Sequence, residues 1–198
     1  MTGSEHKEAT EVRVWDPLLR LFHWLLAAAV TTSFFLGEFG PNIMTLHFWC
    51  GYLVIGLLVF RIVWGFIGPR PARFASFVPG PRGVLTYAGT IFLRKPSHWP
   101  GHNPLGALSV IAMLTLLAAQ VTTGLFADPE DFVNVGPLAH HVDAAMNRKA
   151  SVWHERIAWT LVALVVLHVA VICWYRFWKR EDLIGPMIHG RKWVRRRD

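Results

Sequence analysis

Charged residues are scarce in this chain of 198 amino acids. Asp, Glu, Lys and Arg together make up 17% of the sequence, whereas 53% of the residues are hydrophobic. Soluble globular domains carry about 25% charged residues. The composition therefore excludes an ordinary soluble domain and predicts a membrane protein.

Cysteine is equally rare, and the few motifs that would use it are missing. Cys50 and Cys173 are the two cysteines, and both lie in apolar sequence near opposite predicted membrane faces. A disulfide between them is implausible at such a separation. The sequence has no C-x-x-C-H motif, which excludes covalently attached c-type haem.

Four long apolar runs remain, at residues 18–37, 43–67, 104–126 and 152–178. Each is near the length of about 20 residues that spans a bilayer as a helix. They predict an all-α fold, an integral membrane four-helix bundle, over residues 13–180. Residues 1–12 are interpreted as a polar tail with a disordered tip, and residues 181–198 as a basic tail. The first run lacks a small-residue cleavage site and is followed by three more, so it is not interpreted as a removed signal peptide.

Two connections carry predictions of their own. Residues 84–95 are too short to span, and they are interpreted as an interfacial helix on the cytoplasmic surface between helices two and three. The outer loop, residues 127–151, contains enough apolar residues to predict an ordered cap with a short helix near residues 140–146. Asp16 is predicted to cap the first helix, with Pro17 in its first turn.

The positive charges are distributed unevenly between the two predicted membrane faces. The net charge is +7, and of 20 Lys and Arg residues only Arg148, Lys149 and Arg156 fall on the side of the 38–42 and 127–151 loops. The positive-inside rule then places both termini and the 68–103 loop in the cytoplasm. Without a phosphate loop or recognition motif, this charge indicates attraction to anionic lipid and no nucleic-acid partner.

Four histidines lie within the predicted spans and sort into two pairs by depth. His154 and His168 are fourteen residues apart on the last helix, nearly four turns, so both leave the same side about 21 Å apart along the axis. His23 begins an outward-running helix and shares the cytoplasmic half with His168. His47 begins an inward-running helix and shares the outer half with His154. Alone, His23 would more often be an interfacial or packing residue, but two depth-matched pairs indicate ligands.

Two opposed imidazoles at one depth favour axial coordination of haem. A zinc site normally collects three or four protein ligands, and no depth gathers such a set. Proton relays usually include Asp or Glu within the span, and these spans have none beyond Glu155 at one end. Two haem b groups with bis-histidine ligation, suited to electron transfer, fit the pattern best. His23, His47, His154 and His168 would supply the iron's axial ligands.

Further residues are candidates to contact the haems. Gly51 would allow a flat macrocycle to approach helix two, although a helix-packing glycine explains it almost as well. Arg61 could snorkel to the surface or face inward toward an anionic cofactor group, and neither is favoured. Arg20 and Arg61 are candidates to neutralise inner propionates, and Arg156 an outer one.

The remaining histidines near the spans have weaker interpretations. His98 and His102 precede helix three, where a solvated loop is the simpler explanation and a quinone-headgroup or proton-relay role the sharper one. His140 and His141 are adjacent, and without a third ligand they are interpreted as ordinary loop residues rather than a metal site.

Several segments have a pattern found together in one known group: VWDPLLRLFHW with His23, the early His47 of helix two, RIVWGFIGPR, HNPLGAL, and WHE…LH with His154 and His168. Through them nearly the whole chain, about residues 13–180, resembles the bacterial cytochrome b561 family, which is related to the b-type cytochrome subunits of membrane-bound hydrogenases. That resemblance implies a multi-pass protein of the bacterial inner membrane, whose haems relay electrons between membrane quinone and a periplasmic redox protein or membrane-bound enzyme complex.

Three other matters stay open from the sequence. One rival is a stand-alone oxidoreductase, similar to family members in which superoxide donates electrons through the haems to quinone. The least favoured rival is a haem-free membrane anchor. A homodimer is compatible with the sequence, which has no G-x-x-x-G motif to mark a dimer face.

Overall fold

The computed structural model describes residues 9–41, 44–78, 80–94, 99, 101–130 and 133–195. Within these residues the chain is mostly helical. Its elements in chain order are β1 (Ala9–Arg13), α1 (Pro17–Phe39), α2 (Thr45–Ile67), α3 (Phe74–Phe77), α4 (Pro81–Ala88), α5 (Pro104–Phe126), α6 (Ala144–Phe177), α7 (Ile184–His189) and β2 (Arg191–Arg195), with single 3-10 turns at Arg70–Ala72 and Ala139–His141.

Four of the described helices, α1, α2, α5 and α6, are long and apolar enough to cross a membrane. Only 11–22% of each most apolar 18-residue stretch is buried within the protein. Most of the apolar surface therefore faces outward, as a lipid-facing surface requires. The predicted all-α, four-helix membrane architecture is confirmed, and both cysteines are free thiols.

The chain divides into two compact units whose boundaries fall inside the long helices. One unit comprises residues 1–21, 64–108 and 169–198, and the other comprises residues 22–63 and 109–168. We call them the terminal unit and the histidine unit. The predicted boundaries at residues 12 and 180 do not coincide with this division.

The core of the histidine unit draws residues from all four long helices. Buried Ala29 of α1, Val54 and Leu58 of α2, Leu117 of α5 and Leu161 of α6 form one apolar cluster. Burying apolar surface contributes about 25 cal/mol per Å² only where water is displaced, so within a bilayer close packing matters more for these contacts.

The loop between α5 and α6 is ordered where it is described, as predicted, but α6 begins earlier than predicted. Asp143 caps the helix, because its Oδ1 accepts a hydrogen bond from the Met146 backbone N–H at 2.7 Å. The following residues, AAMNRKAS, are mostly good helix formers. The short helix predicted near residues 140–146 is therefore only partly confirmed: a 3-10 turn covers Ala139–His141, and the residues from Ala144 onward belong to α6.

Gly136 is required by the close approach of this loop to the end of α5. A Cβ at position 136 would lie 2.6–2.8 Å from three backbone carbonyl oxygens, including those of Gly124 and Leu125. The Gly136 N–H donates to the Ala127 carbonyl oxygen at 2.8 Å, and the Leu138 N–H donates to that of Leu125 at 2.8 Å. The loop backbone thus satisfies helix-end carbonyl groups.

The terminal unit is more ordered than the prediction of two polar tails allows. Strands β1 and β2 pair antiparallel, with Ala9 opposite Arg195 and Val12 opposite Lys192. Glu181 is buried, and its carboxylate accepts a hydrogen bond from the Lys192 ammonium at 2.7 Å. Residues 181–195 are therefore a folded segment rather than a solvated tail, and residues 9–12 belong to strand β1. Residues 1–8 lie outside the described part of the chain.

Two local predictions in this unit are partly confirmed. Asp16 Oδ1 accepts a hydrogen bond from the Leu19 N–H at 3.1 Å, which is the predicted cap of α1. A short helix does lie between α2 and α5, but α4 covers Pro81–Ala88 and is followed by turns rather than by helix to residue 95. Its position at the membrane interface remains a prediction.

Candidate functional site

All four predicted histidine ligands lie in the histidine unit, on α1, α2 and α6. The imidazoles of His47 and His154 meet edge-on, with ring centroids 6.1 Å apart and an angle of 74° between the ring planes. An imidazole nitrogen lies about 2 Å from a bound metal ion. Two rings on opposite sides of one ion would therefore have centroids roughly 6 Å apart.

The Nδ1 atoms of His47 and His154 both meet backbone carbonyl groups. His47 Nδ1 lies 2.8 Å from the carbonyl oxygen of Ser33 on α1, and His154 Nδ1 lies 3.0 Å from that of Gln120 on α5. A carbonyl accepts but cannot donate, so each Nδ1 carries the proton and donates it. Nε2 of each ring is then the nitrogen that carries the lone pair, which is the usual arrangement of a histidine that binds a metal.

Close helix packing at this pair depends on two glycines. A Cβ at position 37 would lie 3.3 Å from His47 Cε1, and a Cβ at position 124 would lie 2.8 Å from His154 Cε1. Real Cβ contacts essentially never fall below 3.0 Å. Gly124 of α5 therefore makes room for the His154 ring, although α5 contains no histidine of its own.

Sequence reasoning missed the contribution of α5 to this pair. Besides the Gln120 carbonyl, the Gln120 side-chain amide donates to His154 Nε2 at 3.3 Å, and Thr123 Oγ1 lies 3.4 Å from His154 Nδ1. Gln120 Oε1 is buried with no hydrogen-bond partner among the described residues. The signal was available, because Gln120 is the one side-chain amide in the apolar run of α5. The sequence does not give the rotation of α5 about its axis, however, so Gln120 could not be assigned to a histidine.

The second predicted pair, His23 of α1 and His168 of α6, also lies in the histidine unit. The His23 ring meets Trp24 edge-on, with centroids 5.1 Å apart. His23 Nδ1 is buried and has no hydrogen-bond partner among the described residues. A buried polar atom without a partner is costly and suits a group that a cofactor would satisfy.

Arg61 is buried, and the other two arginine candidates have different surroundings. The Arg61 side chain on α2 is 2% exposed, so it faces inward rather than snorkelling to the surface. Arg20, in the terminal unit, donates from Nη1 to the Ile188 carbonyl oxygen. Arg156 is exposed, and its guanidinium carbon lies 5.7 Å from the centroid of the Trp153 ring. Of the three, Arg61 is the one held away from water inside the histidine unit.

Gly51 borders open space on α2. Among the described residues, no heavy atom lies within 4 Å of where its Cβ would stand, once its own helix backbone is set aside. The absence of a close neighbour does not support the helix-packing explanation and leaves room for a flat group.

The remaining histidines form no metal cluster within the described residues. In that part of the chain no group of three or more His, Cys, Asp or Glu residues could hold a metal ion. His102 packs between aromatic rings, with centroids 4.7 Å from Trp15 and 4.8 Å from Phe77. His140 and His141 are exposed, and their ring centroids lie 3.9 Å apart with the ring planes tilted by 42°. His98 lies outside the described residues.

The residues present therefore fit the group that the sequence predicts. The outer pair offers two adjacent imidazoles whose Nδ1 atoms are oriented by backbone carbonyls. The inner pair offers a buried His23 Nδ1 without a hydrogen-bond partner among the described residues, and the unit contains the buried Arg61 guanidinium. This donor set suits a planar, metal-centred, anionic cofactor between apolar helices.

Known proteins resemble the chain over most of its length. The family model described as prokaryotic cytochrome b561 matches residues 14–190. A probable Ni/Fe-hydrogenase B-type cytochrome subunit of Azotobacter chroococcum mcd 1 is 28% identical, covering 93% of this chain and 89% of the relative. One of Rhizobium leguminosarum bv. viciae is 25% identical, covering 99% and 95%. The probable Ni/Fe-hydrogenase 1 B-type cytochrome subunit of Escherichia coli (strain K12) is 24% identical, covering 89% and 88%. No solved structure matches at a significant level.

Proposed function

The chain belongs to the prokaryotic cytochrome b561 family, and from this premise we propose that it holds two haem b groups and passes electrons between membrane quinone and a redox enzyme. Family membership and the four apolar helices make it a multi-pass membrane protein that binds haem b and transports electrons. Haem supplies an iron that cycles between two oxidation states. The number of haems, their ligands and the electron's partners are the proposal.

The adjacent His47 and His154 imidazoles carry this proposal. Their 6.1 Å centroid separation and the two Nδ1 contacts with carbonyl groups support one haem between them. By holding each ring in one tautomer and orientation, the carbonyls of Ser33 and Gln120 would raise ligand basicity and fix both axial positions. With both positions filled by protein, the site favours electron transfer over oxygen binding.

The second haem would lie between His23 and His168. Two observations support this assignment: both residues lie in the histidine unit, and the buried His23 Nδ1 has no hydrogen-bond partner among the described residues. Arg61 would neutralise a propionate by a charge-assisted hydrogen bond, since its guanidinium is buried within the same unit as the four histidines. Arg20 and Arg156 remain secondary candidates for the same role, and Gly51 would lie against a macrocycle.

The partner is proposed from the relatives. Their names describe B-type cytochrome subunits of Ni/Fe hydrogenases. We infer that this chain likewise serves a membrane-bound enzyme complex, docked on the periplasmic side of the bacterial inner membrane, with quinone as the other electron partner. Helix α6 would then connect the two haem sites, because it would supply one ligand to each haem.

A haem assay on purified single-histidine variants tests the haem assignments. The wild-type chain should contain two haems, measured as the pyridine haemochrome per mole of protein. His47→Ala or His154→Ala should leave one haem, as should His23→Ala or His168→Ala, because each removes one axial ligand. The reduced-minus-oxidised spectra of the two sets should differ.

The matched control is His140→Ala, which removes an exposed loop histidine and should leave two haems. One haem or none in the wild-type chain would rule out the two-haem scheme. Retention of both haems in His154→Ala would rule out the outer ligand pair. Co-purification of the tagged chain from native membranes then tests the partner independently of haem content. The experiment is carried out with the quinone pool oxidised and again with it reduced.

A further inference from the structure

A pocket of about 310 Å³ lies where α6 ends, in the terminal unit. Arg94, Trp178, Lys179 and Arg180 line it. Three of these four residues are cationic, and no carboxylate is among the lining residues in the described part of the chain. The pocket is thus a concave, positively charged site that the proposed electron transfer does not use.

Contacts within the pocket wall hold its side chains in place. Trp178 Nε1 donates to the Phe92 carbonyl oxygen at 3.2 Å, which fixes the indole. The Arg94 guanidinium lies 5.2 Å from the centroid of the Trp178 ring, within the range of a cation–π interaction. Arg94 is therefore oriented by the ring while its donors stay available on its exposed side.

The carboxylates nearest in sequence have partners elsewhere. Glu181 accepts from the Lys192 ammonium at 2.7 Å, and Asp182 Oδ1 accepts from the backbone N–H groups of Ile184 and Gly185. Lys179 is 3% exposed and donates to the Thr90 carbonyl oxygen at 3.4 Å. Burial lowers the pKa of Lys179, and the weaker attraction of Glu181 raises it. The positive charge lining the pocket is thus only partly compensated, so an anion there would be stabilised.

The backbone of Arg180, which lines the pocket, has an uncommon conformation. Its φ of 54° lies in the left-handed region, where residues other than glycine are uncommon. The chain has thus left the helical conformation by Arg180, after α6 ends at Phe177.

An apolar aromatic face continues from the pocket onto the membrane-spanning helix. Trp174 stacks on Trp178 with centroids 5.3 Å apart, and the Phe92 ring meets Trp174 edge-on at 6.3 Å. Phe92 is 77% exposed and Trp174 38% exposed. Tryptophan at the end of a span marks the headgroup level of a bilayer. The basic pocket suits the anionic headgroup of a phospholipid, and the aromatic face suits its acyl chains.

We propose that this pocket binds the phosphate of an anionic phospholipid, with Arg94 and Arg180 as its principal donors and the Trp174–Phe92 face against the acyl chains. The predicted topology places the pocket at the cytoplasmic leaflet, where anionic lipids attract basic segments. A free phosphate or phosphorylated metabolite shares the headgroup chemistry but makes no use of the aromatic face.

Native mass spectrometry of the full-length, haem-loaded protein in mild detergent tests this proposal. The protein is titrated with phosphatidylglycerol or phosphatidylcholine, and the lipids retained per chain are counted. One phosphatidylglycerol should bind with high affinity, and phosphatidylcholine should not. The double variant Arg94→Gln/Arg180→Gln should bind phosphatidylglycerol roughly 25-fold more weakly, since each cation near a lipid surface contributes about fivefold.

The matched control is Arg70→Gln/Arg82→Gln, which removes the same charge from two exposed arginines of the same unit outside the pocket and should leave the affinity unchanged. Equal weakening by both double variants would overturn the proposal, because binding would then follow net charge alone. Equal retention of the two lipids would also overturn it. Inorganic phosphate at 10 mM should not displace the lipid; displacement would assign the pocket to a free anion instead. An unchanged haem spectrum in every variant confirms that the protein is folded.

Discussion

Gly124 determines how closely α5 approaches the His154 imidazole. The Cβ position of residue 124 lies 2.8 Å from His154 Cε1 and 3.1 Å from its Nδ1, so any larger residue must push the ring or the helix aside. The same ring is held by the Gln120 carbonyl oxygen at 3.0 Å. A shift of the ring would therefore weaken the hydrogen bond that orients the proposed ligand.

We expect Gly124→Ala to lower the affinity of the outer site for haem by about tenfold, since contacts that orient a metal ligand typically contribute 10–100-fold. The haem content of the protein, measured during titration of a haem-depleted preparation, checks this. Gly89→Ala is the control, because its Cβ would meet only the Thr86 carbonyl oxygen at an ordinary 3.6 Å. An unaltered outer haem in Gly124→Ala would contradict the proposed position of His154.

These residues also show where inference from sequence ends. His47 and His154 could be paired from helix direction and depth alone, because both properties follow from the length and order of apolar runs. Gln120 and Gly124 could not be assigned, because a contact between helices depends on the rotation of each about its axis. Burial of Arg61 was similarly undetermined, since snorkelling and inward orientation are equally compatible with its place in the sequence.

Among the elements, α1 has a defined start that one side chain provides. Asp16 Oδ1 accepts from the Leu19 N–H at 3.1 Å, and both carboxylate oxygens lie 3.3 Å from Trp64 Nε1. Aspartate at a helix N-cap also interacts favourably with the helix dipole. The cap and the indole contact together connect the start of α1 to the end of α2.

Replacing Asp16 with Ala should destabilise the protein by about 1 kcal/mol, the usual cost of losing an N-cap. Unfolding in a mild detergent titrated with dodecyl sulfate, followed by tryptophan fluorescence, measures the difference. Asp16→Asn keeps an acceptor oxygen and should stay within a few tenths of a kcal/mol of the wild type. Equal destabilisation by both variants would show that charge, and not the cap, is what matters.

The C-terminal segment is held by a buried ion pair. The Lys192 ammonium lies 2.7 Å from Glu181 Oε1, with side chains 12% and 5% exposed, and it also donates to the Trp99 carbonyl oxygen at 2.9 Å. Lys192 stands opposite Val12 in the β1–β2 pairing. The pair therefore connects strand β2 to the chain that follows α6.

We expect Lys192→Met to destabilise the protein by about 3 kcal/mol, because it leaves the Glu181 carboxylate buried without its counter-charge. The double variant Glu181→Gln/Lys192→Met should recover much of that loss, since no charge then stays buried. The same dodecyl sulfate titration gives both values. Additive losses in the double variant would mean that the two side chains act independently.

The short sheet itself was not predictable from local pattern. Its strands are five residues each, and they join residues about 180 positions apart in the chain. No turn motif links the two strands, because they are far apart in sequence. Both are rich in polar residues, so the local pattern predicts polar tails instead. The four spans were predictable because a bilayer demands the same length and apolarity of every helix that crosses it.

For the molecule as a whole, the distribution of charge predicts its orientation in the membrane. Only Arg148, Lys149 and Arg156 lie on the predicted outer side, whereas the other 17 cationic residues lie on the side of both termini. With four spans, an even number, the two termini share one face. The pairing of β1 with β2 is compatible with this arrangement, since it requires both ends of the chain on the same side.

Reporter fusions at the C-terminus test that orientation. A green fluorescent protein fusion should fluoresce in the bacterial inner membrane, and an alkaline phosphatase fusion should be inactive, because the predicted terminus is cytoplasmic. A phosphatase inserted after Glu130, in the exposed outer loop, should be active and serves as the matched control. The reverse activities would invert the assignment. His47 and His154 would then lie on the cytoplasmic side, and a partner reached through that pair could not be periplasmic.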